Sequence, residues 1–357
     1  MIDSFKNNQE LWDLFTAKEE YGEVELDKHA RFSSSVSKNQ KIDTPVVSDF
    51  LVKNGFKATY PDGKKFAVCL THDIDGFNTF PKLKMAKEGL AALAHFDFKL
   101  CGQKLLLGLG LHRIGTQAWK KSLNPLYNFE AIMDLEAKYE AKSSFYFLAL
   151  NKGEQDFDYT VNEISTELND IIGRGWEVGL HGSRQASGDL SRLKLEKSKL
   201  EQILGQNITG YRNHYLIFKT PQTWENLAEA GFGYDTTFGY ADKPGFRNGL
   251  CHPFKPYNLN KNQFINLWEL PLIVMDRTLA HMGLSSAESL TLIKKMIDKA
   301  CECSGVITLL WHNTELTKDK IGFYEEILKY AKSKGAWLTS GENIKKWADD
   351  NLAKEWQ

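Results

Sequence analysis

The chain of 357 residues balances 45 lysines and arginines against 46 aspartates and glutamates, and 42% of it is apolar. Near-zero net charge, with no basic stripe and no acidic tail, argues against nucleic acid or an anionic membrane as the main partner, and no run is long enough to span a bilayer. The five cysteines, odd in number and without a Cys-x-x-Cys pair, read as free thiols in a reducing compartment; with no apolar signal-peptide core at the start, a cytoplasmic protein is expected.

Residues 1–60 are polar and irregular apart from an amphipathic stretch at 11–21, and Ser33-Ser34-Ser35 reads as a loop. They are expected to form an arm packed on one main domain, 61–357. That domain opens with Phe66-Ala67-Val68-Cys69-Leu70-Thr71, a buried strand that stops at His72-Asp73-Ile74-Asp75-Gly76. Alternation along a strand points Asp73 and Asp75 to one side, where they could share a metal or a water. His72 points to the other side and is expected to pack. An insertion follows at about 77–127, ending at Asn124-Pro125. Its Leu-, Gly- and Ala-rich part, 90–111 with His95, continues to His112; because Lys99 and Lys104 interrupt the apolar stripe, a helical excursion covering one mouth of the domain is expected rather than a membrane segment.

From there helices and strands alternate. Helical 129–139 precedes strand 144–150; helical 163–172, stopped at Gly173, precedes strand 176–180. Helical 190–204 leads to strand 208–211, and helical 222–230 to short strands near 233–237 and 267–274. Helical 287–301 leads to strand 305–311, helical 323–332 to strand 336–339, and a terminal helix begins near 340. Seven or eight strands alternating with helices, without a linker or a repeat, predict one (β/α) barrel-like domain.

Several strands end on polar residues. His181 ends Trp176-Glu177-Val178-Gly179-Leu180, Arg212 and His214 end the strand through Tyr211, and His312 follows Leu309-Leu310-Trp311. Parallel strands of one barrel bring such ends to one rim, the carboxyl rim where these folds place ligands. Asp235 and Asp276, near other strand ends, could pair with Arg212 or His312, or cap turns. Trp268 and Trp311 could stack on a sugar ring, though core packing is the default for a strand tryptophan. His95, His112, His252 and His281 have no motif around them.

In this order the motifs resemble the polysaccharide deacetylase family with the NodB-homology domain (carbohydrate esterase family 4), over about residues 64–345, in a divergent form whose first motif is Asp-x-Asp. The resemblance implies an irregular (β/α)7 barrel and a mononuclear site for a divalent metal, usually zinc. It implies Asp73 as general base, Asp75 and His181 as metal ligands, Arg212 as the residue orienting the base, and His312 in Leu310-Trp311-His312 as general acid. Two positions depart from the pattern. Gln185 stands where the second metal-binding histidine belongs, and His214 stands in place of a proline. A Gln oxygen is a poorer zinc ligand than imidazole, so His214 is the expected third ligand. Gln185, Tyr215, Trp311 and Trp268 are then the candidate substrate contacts.

The implied activity is hydrolysis of a carbon–nitrogen bond outside peptides: removal of acetyl groups from an N-acetylated (or O-acetylated) sugar or polysaccharide precursor. A small cyclic or linear amide hydrolase on the same barrel, with or without metal, and a non-catalytic carbohydrate-binding protein are the alternatives.

Overall fold

The computed structural model describes residues 6–76, 82–111, 124–151, 154 and 159–356; His112 and the other insertion residues at 77–81 and 113–123 lie outside them. The main sheet contains β1 (Phe66–Ile74), β2 (Ser144–Leu148), β3 (Glu177–Gly182), β4 (Gly210–Asn213), β5 (Tyr234–Asp235), β8 (Trp268–Glu269), β9 (Leu272–Met275), β10 (Val306–Leu310) and β11 (Ala336–Thr339). A small hairpin of β6 (Tyr257–Asn258) and β7 (Gln263–Phe264) stands apart. Strand order is β8-β5-β4-β3-β2-β1-β10-β9, every pair is parallel, and the eight strands curl through 271°. β11 pairs with the first half of β1, and β2 with its second half. This is the expected α/β architecture, a (β/α)7-like barrel.

The expected single strand at 267–274 is two strands. Pro271, which has no N–H to donate, breaks it after Leu270. The two halves lie on opposite edges of the curled sheet, β8 beside β5 and β9 beside β10. The chain therefore crosses the gap between those edges over Leu270-Pro271.

Strand alternation sorts the side chains. On β1 the apolar Phe66, Val68 and Leu70 turn outward with His72, whose ring packs on Phe145 and Tyr324. Cys69, Thr71 and Asp73 turn into the barrel. Two large interior side chains fit because the neighbouring strand offers glycine: a Cβ on Gly179 would meet the Tyr146 ring at 2.6 Å, and one on Gly210 would meet the Tyr234 hydroxyl at 2.3 Å. At the amino end of the barrel the last helix, Gly341–Asn351, donates Gly341 N–H to Ser144 Oγ and Glu342 N–H to Glu177, each at 2.8 Å. Burial nevertheless pushes the Glu177 carboxyl up to about 7.

Residues 6–60 lie against the barrel's connections. Glu20 pairs with Arg247 at 2.7 Å, the Tyr21 hydroxyl donates to Tyr257 O at 3.1 Å, and Val47 N–H donates to Gly249 O at 2.9 Å. This stretch is less irregular than its sequence suggests: besides Gln9–Phe15 it forms the helix Val46–Lys53, with Val47 and Leu51 buried. Within the insertion, Lys82–Ala94 and Phe98–Gly108 form an αα-hairpin; Gly89 of the first helix faces Cys101 and Lys104 of the second. Met85, Ala92 and Leu107 of this hairpin are buried, whereas Leu83, Leu90, Phe96 and Phe98 are exposed.

Candidate active site

Because all the strands of the main sheet run parallel, their carboxyl ends share one rim, and there the predicted residues meet. β1 delivers Asp73 and, one residue past its end, Asp75; β3 delivers His181; β4 delivers Arg212 and is followed by His214; β10 is followed by His312. His181 Nε2 and His214 Nε2 stand 3.3 and 3.6 Å from Asp75 Oδ1, and His312 Nε2 stands 3.6 Å from Asp75 Oδ2.

Asp75, His181 and His214 each present one ligand atom, all within 4.8 Å of one another. Ligands about 2.0–2.1 Å from a tetrahedral zinc stand about 3.3–3.4 Å apart, close to the two distances from Asp75. Hydrogen bonding points the same way. His181 Nδ1 donates to Arg212 O at 3.1 Å, which leaves a lone pair on Nε2 facing the carboxylate, the usual arrangement of a metal-binding imidazole. His181 Nε2, Asp75 Oδ1 and Asp73 Oδ1 are buried without a hydrogen-bond partner among the described residues. Orphaned buried polar atoms are costly, and three gathered at one point fit a cation. Burial alone would raise the Asp75 carboxyl, but His312, His181 and His214 together hold it far below the usual carboxylate range.

Arg212, fully buried, donates from Nη2 to Thr71 Oγ1 at 2.6 Å and sets Nε 3.3 Å from Asp73 Oδ1. Asp73 Oδ2 is 3.7 Å from His181 Nε2. Opposite them Asp276 grips His312 twice: Oδ2 accepts the backbone N–H and Oδ1 accepts Nδ1–H, both at 2.6 Å. Burial lowers the His312 imidazole, but Asp276 and Asp75 outweigh it and carry its pKa to about 9.

Of the two aspartates offered as partners, Asp276 pairs with His312. Asp235 accepts from Thr237 N–H and Oγ1 and shares its buried place with Glu269; burial pushes Asp235 up to about 6, and burial together with Asp235 pushes Glu269 well above its ordinary value. The structure does not bring Trp311 or Trp268 to the rim. Trp311 neighbours His312 in sequence and so faces the other side of its strand, packed on Phe323 and Tyr324. Trp268 donates its indole N–H to Asp349 of the last helix at 2.8 Å. Gln185 lies exposed in the loop after β3, and Tyr215 lies beside His214 with ring centroids 4.3 Å apart.

Residues that sequence reasoning missed come from the arm and from the loop after β3. His29 stacks on Tyr215 at 5.5 Å, Arg31 Nη1 donates to Tyr215 O at 3.3 Å, and Arg184 lies over the same ring at 5.1 Å. The segment they hold is strained: Tyr215 and Leu216 both have positive φ, 63° and 55°, without being glycine.

No family model matches the sequence, and no curated protein matches it. Among solved structures, the chain resembles one from Mycobacterium smegmatis provisionally described as a polysaccharide deacetylase, at 17% identity and a TM-score of 0.55, covering 84% of this chain and 94% of that one. Peptidoglycan deacetylase PdaC from Bacillus subtilis is matched at 14% identity and a TM-score of 0.39, over 83% and 97% of the two chains. A pseudoenzyme of carbohydrate esterase family 4 from Bacillus anthracis is matched at 11% and 0.38, over 80% and 66%. At these identities the first match establishes a shared fold, that of a polysaccharide-deacetylase barrel.

Proposed function

We propose that the protein is a metal-dependent hydrolase that removes the acetyl group of an N-acetylated or O-acetylated sugar. The observation that carries this reading is the convergence of Asp75, His181 and His214 on one point, with two of their facing atoms buried and unpartnered. These three residues would hold a divalent cation, with zinc suited to a two-imidazole, one-carboxylate set; when bound, it supplies Lewis acidity toward the acetyl carbonyl and the attacking water.

The chain's own groups do the rest. Asp73, beside the same centre, accepts the proton of the attacking water as general base. Arg212 balances its charge and fixes its orientation from 3.3 Å, and is itself fixed by Thr71. With Nδ1 held by Asp276, His312 presents Nε2 to the centre; its raised pKa keeps a proton there at neutral pH, ready for the departing amine. As attack proceeds, negative charge develops on the carbonyl oxygen next to His312 and the cation site, where preorganised positive groups stabilise it.

Purified untagged protein, assayed by elemental analysis and for acetate release from N-acetyl sugars, tests this. One equivalent of divalent metal per chain, with acetate release that chelation abolishes and metal restores, is expected. Acetate release that survives complete metal removal would replace it with the metal-free amide hydrolase.

A further inference from the structure

The hairpin of Lys82–Ala94 and Phe98–Gly108 has apolar faces that its fold does not use. On the first helix Met85 and Ala92 are buried, while Leu83, Leu90 and Leu93, at helical spacing on another face, are exposed, Leu83 to 71%. On the second helix Leu107 is buried and Phe98 and Leu105 are exposed, as is Leu109 just past its end. The turn between them carries Phe96, exposed to 80%, and the second helix opens on Phe98, exposed to 69%. A soluble surface seldom concentrates large apolar side chains in this way without a binding role.

The charge around this face says what would cover it. The hairpin holds Lys82, Lys84, Lys87, Lys99 and Lys104 against Glu88 and Asp97, in a chain whose net charge is -1. Whole-chain neutrality, which argued against a membrane partner, conceals this local excess. At about 100° per residue, Lys87 and Lys99 fall at the edges of the two apolar arcs. Long lysine stems there can follow the apolar surface while their ammonium groups reach outward. A second copy of the chain would cover the leucines, but a two-fold contact sets the same basic patch against itself.

We propose that this hairpin docks the protein on the surface of a bilayer containing anionic phospholipid, with Phe96, Phe98 and the exposed leucines entering the headgroup boundary and the exposed Lys87 and Lys99 meeting lipid phosphates. Docking of this kind lies on the membrane without crossing it; among the described residues no helix is long and apolar enough to cross. The hairpin leaves the barrel just after Asp75-Gly76, and Lys104 lies within electrostatic reach of Asp319 in the loop after His312. Docking therefore holds the carboxyl rim near the lipid. On the deacetylase reading, on which this last step rests, the acetylated sugar is one carried on a lipid.

Flotation of the full chain with vesicles tests the docking without reference to catalysis. Wild-type protein should float with vesicles of phosphatidylcholine plus phosphatidylglycerol, much less with phosphatidylcholine alone, and less as salt rises. The double variant Phe96→Ser/Phe98→Ser should bind at least about tenfold more weakly. Lys87→Glu/Lys99→Glu should erase the preference for phosphatidylglycerol. All these positions are exposed, so both variants should keep the wild-type circular dichroism. Wild-type protein that ignores both vesicles overturns the proposal, as does binding undiminished in the phenylalanine variant. A dimer in sedimentation that this variant breaks, with no vesicle binding, assigns the face to a second copy instead. Absence of deacetylase activity changes none of these readouts and removes only the lipid-linked substrate.

Discussion

His72 and Asp73 are neighbours in sequence and a barrel wall apart in role. Outside the wall, His72 meets an acceptor at each ring nitrogen, Trp311 O and Glu136 Oε1, both at 2.9 Å. Glu136 in turn accepts from Ser143, Trp176 and Tyr324, so this buried histidine–carboxylate pair is complete. Inside the wall, the equally buried Asp73 and His181 and the partly exposed Asp75 place the same residue types together and leave three buried atoms without a hydrogen-bond partner among the described residues. Composition cannot tell these two clusters apart; unmet bonding capacity can. The first cluster is satisfied by the fold; the second, on the proposed reading, would be satisfied by a divalent cation.

The largest effects should separate the two clusters. Asp75→Ala and His181→Ala are expected to abolish metal binding and acetate release with little change in thermal unfolding of the metal-free protein, since the facing Asp75 Oδ1 and His181 Nε2 make no hydrogen bond among the described residues and His181 gives up only its bond to Arg212 O. Glu136→Ala should do the reverse. It strands His72, Trp176, Tyr324 and Ser143 in the core at a cost of about 3–5 kcal/mol, and any chain that still folds should keep its metal. Burial would raise the Glu136 carboxyl, but its bonds to His72, Trp176 and Ser143 hold it below its ordinary value. The sign follows: the carboxylate stabilises the fold above the ordinary carboxylate pKa, and that contribution is lost as pH falls through the lowered one. Denaturant titrations across the acid range should therefore show a flatter dependence in Glu136→Gln. A metal-free Glu136 variant, or an Asp75 variant that unfolds, would erase the distinction.

How far the sequence carried this comparison varies from residue to residue. Period-two alternation was enough to put Asp73 and Asp75 on one side and His72 on the other, and parallel strands were enough to gather Asp75, His181, His214 and His312. The same parity, applied to Leu310-Trp311-His312, turns Trp311 away from the site, and a missing N–H at Pro271 splits its strand; both signals were present in the chain. The partners of His72 were not legible, because Glu136 lies 64 residues away on a helix whose orientation only packing decides. Nor was the route by which the arm reaches Tyr215, 184 residues beyond Arg31. Left-handed backbone at Tyr215 and Leu216 carries no glycine to announce it.

His312 tests whether the inner cluster works as a unit with its acid. His312→Ala should lower kcat about 10²–10⁴-fold on an N-acetyl sugar and far less on an aryl acetate, whose leaving group needs no proton. Asp276 raises the imidazole pKa, so the protonated acid is present below that pKa and lost as pH rises through it. Asp276→Asn should then move the alkaline limb of kcat/KM toward acid while leaving metal content unchanged. An unmoved limb would assign that limb to another group.

The third ligand offers a smaller effect. If His214 replaces the histidine absent at Gln185, His214→Ala should weaken metal affinity at least about tenfold, comparable to or beyond the loss of an outer-shell partner. Gln185→Ala should leave affinity close to wild type and act on KM. Chelator competition reads both directly, and the opposite ranking would make Gln185 the ligand and His214 a packing residue.

The smallest expected effect probes how each cluster is held. His72 is fixed by barrel strands and a helix, whereas His214 opens a strained segment that the arm steadies through Arg31 and His29. Arg31 is partly exposed and its bond to Tyr215 O is 3.3 Å long, so its net worth is about 1 kcal/mol or less. Arg31→Ala should therefore loosen metal binding only a few-fold and leave thermal unfolding of the metal-free protein nearly unchanged; Arg31→Lys, which keeps a donor, should recover part of the loss. A drop in stability without any change in metal affinity would make the arm a brace for the barrel alone. A change in affinity with stability intact would show that the outer cluster is built by the barrel and the inner one is finished by the arm.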